Sequence, residues 1–207
     1  MKRTLRTARA VLLLASGAVL AGCMTKATVG NDPTVEGTVH VCSSCHGLEG
    51  RSENPNFPIL AGQQHDYLVQ ELHAFRDKTR ADPHAHTYMW GMAAKLSDAT
   101  IDGLATYFSQ QPPAPPTRQD PALASAGAAI FKAGIAARDV PACSACHGDT
   151  GGGSGAIPRL AGQHPTYLAT QLQAFQVNSR ANEMMHQNAK NLTPQEIDEV
   201  TAYLGSI

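Results

Sequence analysis

Cys42-Ser43-Ser44-Cys45-His46-Gly47 and Cys143-Ser144-Ala145-Cys146-His147-Gly148 are one six-residue pattern written twice, 101 residues apart. Outward from this pair the likeness continues. Leu60-Ala61-Gly62-Gln63 matches Leu160-Ala161-Gly162-Gln163. Tyr67, Leu68, Leu72, Ala74, Phe75, Arg80 and Ala81 match Tyr167, Leu168, Leu172, Ala174, Phe175, Arg180 and Ala181. Further on, Met89, Leu96, Ile101 and Tyr107 match Met185, Leu192, Ile197 and Tyr203. The offset falls from 101 to 100 and then to 96, so small deletions lie in loops. A repeat of about a hundred residues is a duplicated domain, not a solenoid.

Within each copy the periodicity is helical. Tyr67, Leu68, Leu72 and Phe75 recur at helical spacing, as do their four partners. A last helix opens at Ser97-Asp98 in the first copy and at Thr193-Pro194-Gln195-Glu196 in the second. There Thr193 as N-cap, Pro194 in the first turn and Glu196 form a capping box. Ala126 to Ala133 reads as a further helix ahead of the second motif. No run alternates as a strand, so the fold class is all-α. Gln110 to Pro116 carries four prolines and favours an extended, stiff connection.

The first residues are of a different kind. Lys2, Arg3, Arg6 and Arg9 precede an apolar run from Ala10 to Leu20, too short to span a bilayer. Leu20-Ala21-Gly22-Cys23 resembles the lipobox of bacterial lipoproteins, which implies cleavage before Cys23 and its lipidation. The expected organisation is therefore a signal peptide over 1–22, a tether over 23–34 and an N-terminal domain over 35–111. A Pro-rich linker over 112–119 and a C-terminal domain over 120–207 follow. The chain has 16 Lys and Arg against 17 Asp and Glu; without the first 22 residues it has twelve against seventeen, a net charge of -5. An acidic body of this kind argues against nucleic acid as a partner.

The cysteine count closes on this reading. Of five cysteines, Cys23 is taken by lipid, and Cys42, Cys45, Cys143 and Cys146 form two C-x-x-C pairs, each followed by histidine. Two cysteines at this spacing trap the two vinyl groups of a haem as thioethers, and the next residue then lies under the iron. Zinc would need four clustered ligands per site, and a thiol-exchange pair has no use for the adjoining histidine. The expectation is two covalently bound haem c groups, with His46 and His147 as proximal iron ligands. Such a histidine needs an acceptor that fixes its tautomer. Pro58 lies twelve residues after His46 and Pro158 eleven after His147, the spacing at which mitochondrial-type cytochromes c offer a proline carbonyl. A methionine must sit before the last helix in both copies to close the iron. Met89 and Met185 do; their rivals Met92 and Met184, and His84, His86 and His186, are not repeated. Arg80 and Arg180 either meet haem propionates or are solvated helix ends. Tyr67, Tyr167, Gln63 and Gln163 close the pocket or cap a helix, and Trp90 is packing.

From about Val35 onward these strings resemble the dihaem cytochrome c4 family. They include Asn56-Phe57-Pro58-Ile59, Asp120-Pro121-Ala122-Leu123, Leu160-Ala161-Gly162-Gln163-His164 and Met92-Ala93-Ala94-Lys95-Leu96-Ser97-Asp98. The resemblance implies two class I cytochrome c domains related by a pseudo-twofold axis. It also implies His/Met ligation at each iron through Met89 and Met185, and electron delivery to a terminal oxidase. The lipobox departs from the family's usual arrangement. The expected function is a monomeric electron carrier, not an enzyme, held by lipid on the periplasmic side of a bacterial membrane and meeting redox proteins as donor and acceptor. The competing readings are a dihaem enzyme (a peroxidase or a thiosulfate-oxidising cytochrome) and the cytochrome subunit of a dehydrogenase complex.

Overall fold

The computed structural model describes residues 33–207, and all regular structure there is helical apart from two isolated bridges, Ile135 to Val140 and Ser154 to Ile157. The expected signal peptide, the expected lipobox with Cys23 and most of the expected tether lie outside the described residues. The first half runs α1 (Pro33–His46), α2 (His65–Arg76), a single π turn (Ala85–Met89), α3 (Trp90–Ala93) and α4 (Asp98–Ser109). The second runs α5 (Pro121–Ala133), α6 (Ser144–His147), α7 (Pro165–Gln176), α8 (Glu183–Ala189) and α9 (Pro194–Gly205).

The capping signals fall where the sequence puts them. Ser97 accepts a bond from the Thr100 amide at the start of α4, and the Thr193–Glu196 capping box opens α9 with both reciprocal bonds made. Helix α5 starts earlier than its apolar residues suggested. Asp120 caps it by accepting from the Ala122 and Leu123 amides, and Pro121 occupies the first turn. Helix α1 was not anticipated, because only Val35 and Val39, four apart, bury an apolar face there.

Each half builds its own core by crossing its first and last helices. In the second half α5 packs on α9, and Ile130, Phe131, Ile197, Val200, Tyr203 and Leu204 fill the contact, with α7 adding Leu168 and Phe175. In the first half α1 and α2 pack on α4 through Val35, Val39, Leu68, Leu104 and Phe108. Both crossings need a glycine, but not on equivalent helices. A Cβ at Gly127 of α5 would stand 1.9 Å from the Glu199 carbonyl oxygen of α9. In the first half the close approach is at Gly103 of α4, where a Cβ would meet Val35 Cγ2 at 2.6 Å.

The connection between the halves is tied down at both ends. Arg51 donates to the Pro112 carbonyl (3.1 Å), and the Thr117 amide donates to the Gly205 carbonyl (2.8 Å). Pro113 packs so close over Gly62 that a Cβ there would come within 2.6 Å of its ring.

Between the halves lies a buried charged cluster. Arg80 and Arg180, the repeat partners, are 7 % and 8 % exposed, so neither is a solvated helix end. Glu71 receives both guanidiniums: Arg80 on Oε2, and Arg180 on Oε1 at 2.6 Å. Asp82, fully buried, accepts a second bond from Arg80 at 2.7 Å. Gln171, which replaces Glu71 in the second copy, accepts from both Arg80 (2.7 Å) and Arg180 (2.8 Å). Arg180 also donates to the Tyr67 hydroxyl at 2.9 Å and Arg80 to that of Tyr167 at 3.5 Å. The two tyrosines therefore bridge domains instead of capping a helix. Burial alone would raise the Glu71 carboxyl, but the Arg180 and Arg80 guanidiniums overcome it and hold it below the usual range; Arg80 does the same for Asp82.

These contacts generate two expectations. Gly127→Ala forces α5 off α9 and costs about 2 kcal/mol, read as a lower urea midpoint at unchanged slope. The depressed carboxyls contribute stability that is present above their unfolded pKa, about 4, and is lost as pH falls through it to the lower folded values. Glu71→Gln, which leaves two buried guanidiniums with Asp82 as their one carboxylate, costs about 3 kcal/mol at neutral pH. It also flattens the acid limb of a thermal-midpoint profile.

Candidate haem sites

The first motif closes α1. Val35, Val39, Cys42 and His46 stand three or four residues apart and share the buried face of that helix, whereas Cys45 turns outward. The second motif reaches the same geometry differently. Helix α5 ends at Gly134, a loop pinned by the Ile135–Val140 bridge follows, and the motif winds its own single turn, α6, with the His147 amide donating to the Cys143 carbonyl at 3.0 Å.

Both histidines are 7 % exposed, and each gives its Nδ1 proton to the expected proline carbonyl: His46 to Pro58 at 2.9 Å and His147 to Pro158 at 3.1 Å. A carbonyl can only accept, so Nδ1 carries the proton and Nε2 keeps its lone pair. Burial pushes both imidazoles below their ordinary pKa, and the proline bond offsets part of that fall. Both are therefore neutral at physiological pH, the form in which imidazole binds iron. The proline loops are held alike: the Gly50 carbonyl accepts the Leu60 and Ala61 amides, and the Gly151 carbonyl those of Leu160 and Ala161.

The first thiol of each pair does not suit disulfide exchange. Burial pushes Cys42 up to about 11 and raises Cys143 as well, opposite to the depressed value a reactive thiol needs. Zinc finds no support either: among the described residues no three His, Cys, Asp or Glu side chains cluster as a metal site.

The methionines separate by burial. Met89 ends the π turn, half-buried against Phe75, Ala85 and Ala93. Met185 lies half-buried in α8, against the same core that receives Cys143. Met92 and Met184 are 59 % and 60 % exposed. The unrepeated histidines have other duties. His86 stacks edge-on against Trp90 with centroids 4.6 Å apart, and His186 Nδ1 donates to the Phe175 carbonyl at 2.8 Å. The Trp90 indole donates to the Arg80 carbonyl at 2.7 Å.

In the first domain the two halves of the site meet. Phe57 meets His46 edge-on at 6.2 Å and Tyr88, next to Met89, at 5.6 Å, joining the histidine loop to the methionine turn. In the second domain a cleft of about 560 Å³ is lined by Val140, Pro141, Gln187 and Asn188, near in sequence to the motif and to Met185, but neither His147 nor Met185 lines it. A buried imidazole with a cysteine pair beside it, and a half-buried methionine in the same domain, are the side chains that would hold a haem through two thioether bonds and two iron ligands.

Gln63 and Gln163, expected to close the pocket or cap a helix, accept on Oε1 from the amides of Gln64 and His164, which open α2 and α7, at 2.8 and 3.0 Å. Each reaches into the opposite domain. Gln163 accepts from the Ile59 amide and donates to the Ile59 carbonyl, both at 2.9 Å. Gln63 accepts from the Arg159 amide at 2.7 Å and donates to its carbonyl at 2.9 Å. Their pairing in the repeat was the one signal that could have flagged them.

Comparison with known proteins agrees with this geometry. The cytochrome c family model matches residues 39–112 and again 124–207. Cytochrome c-552 of Acidithiobacillus ferridurans is 43 % identical over 168 residues, covering 80 % of this chain and 73 % of that protein. Cytochrome c4 of Pseudomonas aeruginosa is 36 % identical over 170 residues, covering 79 % of this chain and 82 % of that one. A thiosulfate dehydrogenase electron acceptor of Stutzerimonas stutzeri is 33 % identical, covering 80 % and 78 %. The solved cytochrome c4 of Acidithiobacillus ferrooxidans superposes with a TM-score of 0.77 at 42 % identity, over 80 % of this chain and 98 % of that one. With the motif doubled, the fold all-helical and the match spanning both halves, the chain belongs to the dihaem cytochrome c4 family of electron-transfer proteins, two tandem cytochrome c domains each holding one covalently bound haem c.

Proposed function

We propose that this protein is a carrier that passes single electrons between redox proteins on the periplasmic side of a bacterial membrane and performs no substrate chemistry itself. The observation that carries this reading is the matched pair of buried, neutral imidazoles, each with its Nδ1 proton committed to a proline carbonyl. That commitment leaves Nε2 of His46 and of His147 as the proximal ligand atoms. Met89 and Met185 supply the distal thioethers, since these two methionines pack on the core while Met92 and Met184 face out. Cys42 and Cys45 bind one haem, Cys143 and Cys146 the other. Bound haem c supplies a one-electron ferric/ferrous couple. The chain's part would be to hold His46, Met89, His147 and Met185 as iron ligands and keep them still, so that little rearranges when charge changes. Cys23, as the lipidated residue, tethers the carrier and confines its encounters to the membrane surface.

A terminal oxidase is the acceptor we favour. The relative named as a thiosulfate dehydrogenase electron acceptor favours a second reading, in which a thiosulfate-oxidising enzyme is the donor. Reduction by that enzyme, but not by a quinol-oxidising complex, would select it.

A carrier with both irons six-coordinate binds no carbon monoxide when reduced, and its oxidised form shows the near-infrared band of thioether-bound ferric iron at two per protein. Met89→Ala and Met185→Ala each open one iron, so each variant binds one carbon monoxide and loses half the band. Uptake by the unsubstituted protein would point to an enzyme. Cys23→Ser moves the protein from the membrane fraction to the soluble periplasm.

A further inference from the structure

The two cross-domain glutamines meet the histidine ligands through one peptide group each. The peptide between Pro58 and Ile59 carries the carbonyl that accepts from His46 Nδ1 (2.9 Å) and the amide that donates to Gln163 Oε1 (2.9 Å). The peptide between Pro158 and Arg159 likewise accepts from His147 Nδ1 (3.1 Å) and donates to Gln63 Oε1 (2.7 Å). Both glutamines are buried, at 7 % and 6 % exposure. Their amide orientation is dictated, because each spans an N–H and a C=O of the same residue.

We propose that Gln163 and Gln63 are positioning residues that set the electron donation of the opposite domain's histidine, Gln163 acting on His46 and Gln63 on His147. A peptide amide that donates to a glutamine oxygen leaves its own carbonyl more negative, and a more negative carbonyl is a better acceptor. A stronger bond at Nδ1 gives the imidazole more anionic character and raises its basicity toward the metal. This favours the ferric state and lowers the reduction potential. Each iron is thereby tuned by a side chain of the other domain, and separating the domains would detune both. The inference rests on the ligand assignment proposed above.

The test is a redox titration of the dihaem protein followed by NMR, each haem tracked by its own assigned methyl resonances. Gln163→Met keeps the volume and removes both bonds to Ile59, together with the one Gln163 Oε1 accepts from the His164 amide (3.0 Å). It raises the potential of the N-terminal haem, shifting that reduction equilibrium about threefold, or about 28 mV at 59 mV per tenfold for one electron, and leaves the C-terminal haem where it was. Gln63→Met does the reverse. The ring Nδ1 proton of the affected histidine also exchanges faster with solvent. Gln163→Asn, which keeps an amide but shortens its reach, moves the N-terminal haem in the same direction and serves if the methionine variant folds poorly. Gln64→Ala removes a different cross-domain bond, to the Gly152 carbonyl at 2.8 Å, and leaves both potentials unchanged. The inference is overturned if the glutamine variants move neither haem, move both alike, or move the haem of their own domain. The near-infrared band of the unsubstituted protein separates the two levels. Its absence removes the ligand assignment, whereas its presence with unmoved potentials removes the relay alone.

Discussion

A buried imidazole must place its ring proton on an acceptor, because water is not there to take it. In both halves of this protein the acceptor is a proline carbonyl eleven or twelve residues downstream, and much of the architecture serves to hold it there. The glycine carbonyls at positions 50 and 151 gather the two amides beyond each proline, and this ties the loop back to the turn that follows the histidine. The last helix receives the end of the loop, with Gly62 bonded to the Phe108 carbonyl and Gly162 to that of Leu204. The histidine–proline bond and these backbone bonds together link the motif, the loop and the final helix of each domain.

Duplication would suggest a symmetric molecule, and the backbone largely is one. The charges are not. Glu71 and Asp82 both belong to the first copy, where the second has Gln171 and Asn182. Gln171 serves as a neutral acceptor for both arginines, while Asn182 leaves the interface and caps α8 by accepting from the Met185 amide. Two buried guanidiniums are thus balanced by two carboxylates from one domain. The methionine segments differ as well. The first copy is four residues longer between its arginine and its methionine, and takes up the extra chain as a π turn carrying Met89. In the second copy Met185 sits in a plain α-helix. Such π turns are often found at functional sites.

Much of the site was legible without coordinates because its spacing is chemical. Two thioethers and an adjoining ligand demand C-x-x-C-H, and the proline and methionine positions survive in both copies. The capping residues of α4 and α9 were legible for the same reason, since a cap is a local hydrogen bond. Helix α1 was not, because two valines make too short a periodic signal and its stability comes from packing on α4. Met89 could be separated from Met92 by the repeat, but only burial gives a physical reason for the difference.

The sequence by itself determined the duplication, the helical class, the cofactor chemistry and the residues that repeat, because each is written in local order and spacing. Tertiary structure alone decided what those repeated residues face. Arg80, Arg180, Tyr67, Tyr167, Gln63 and Gln163 read as pocket, cap or solvent residues, and all six prove to be the joint between the domains. Periodicity tells which face of a helix is buried, but not whether its own domain or the neighbouring one buries it; that follows only when the two halves are brought together.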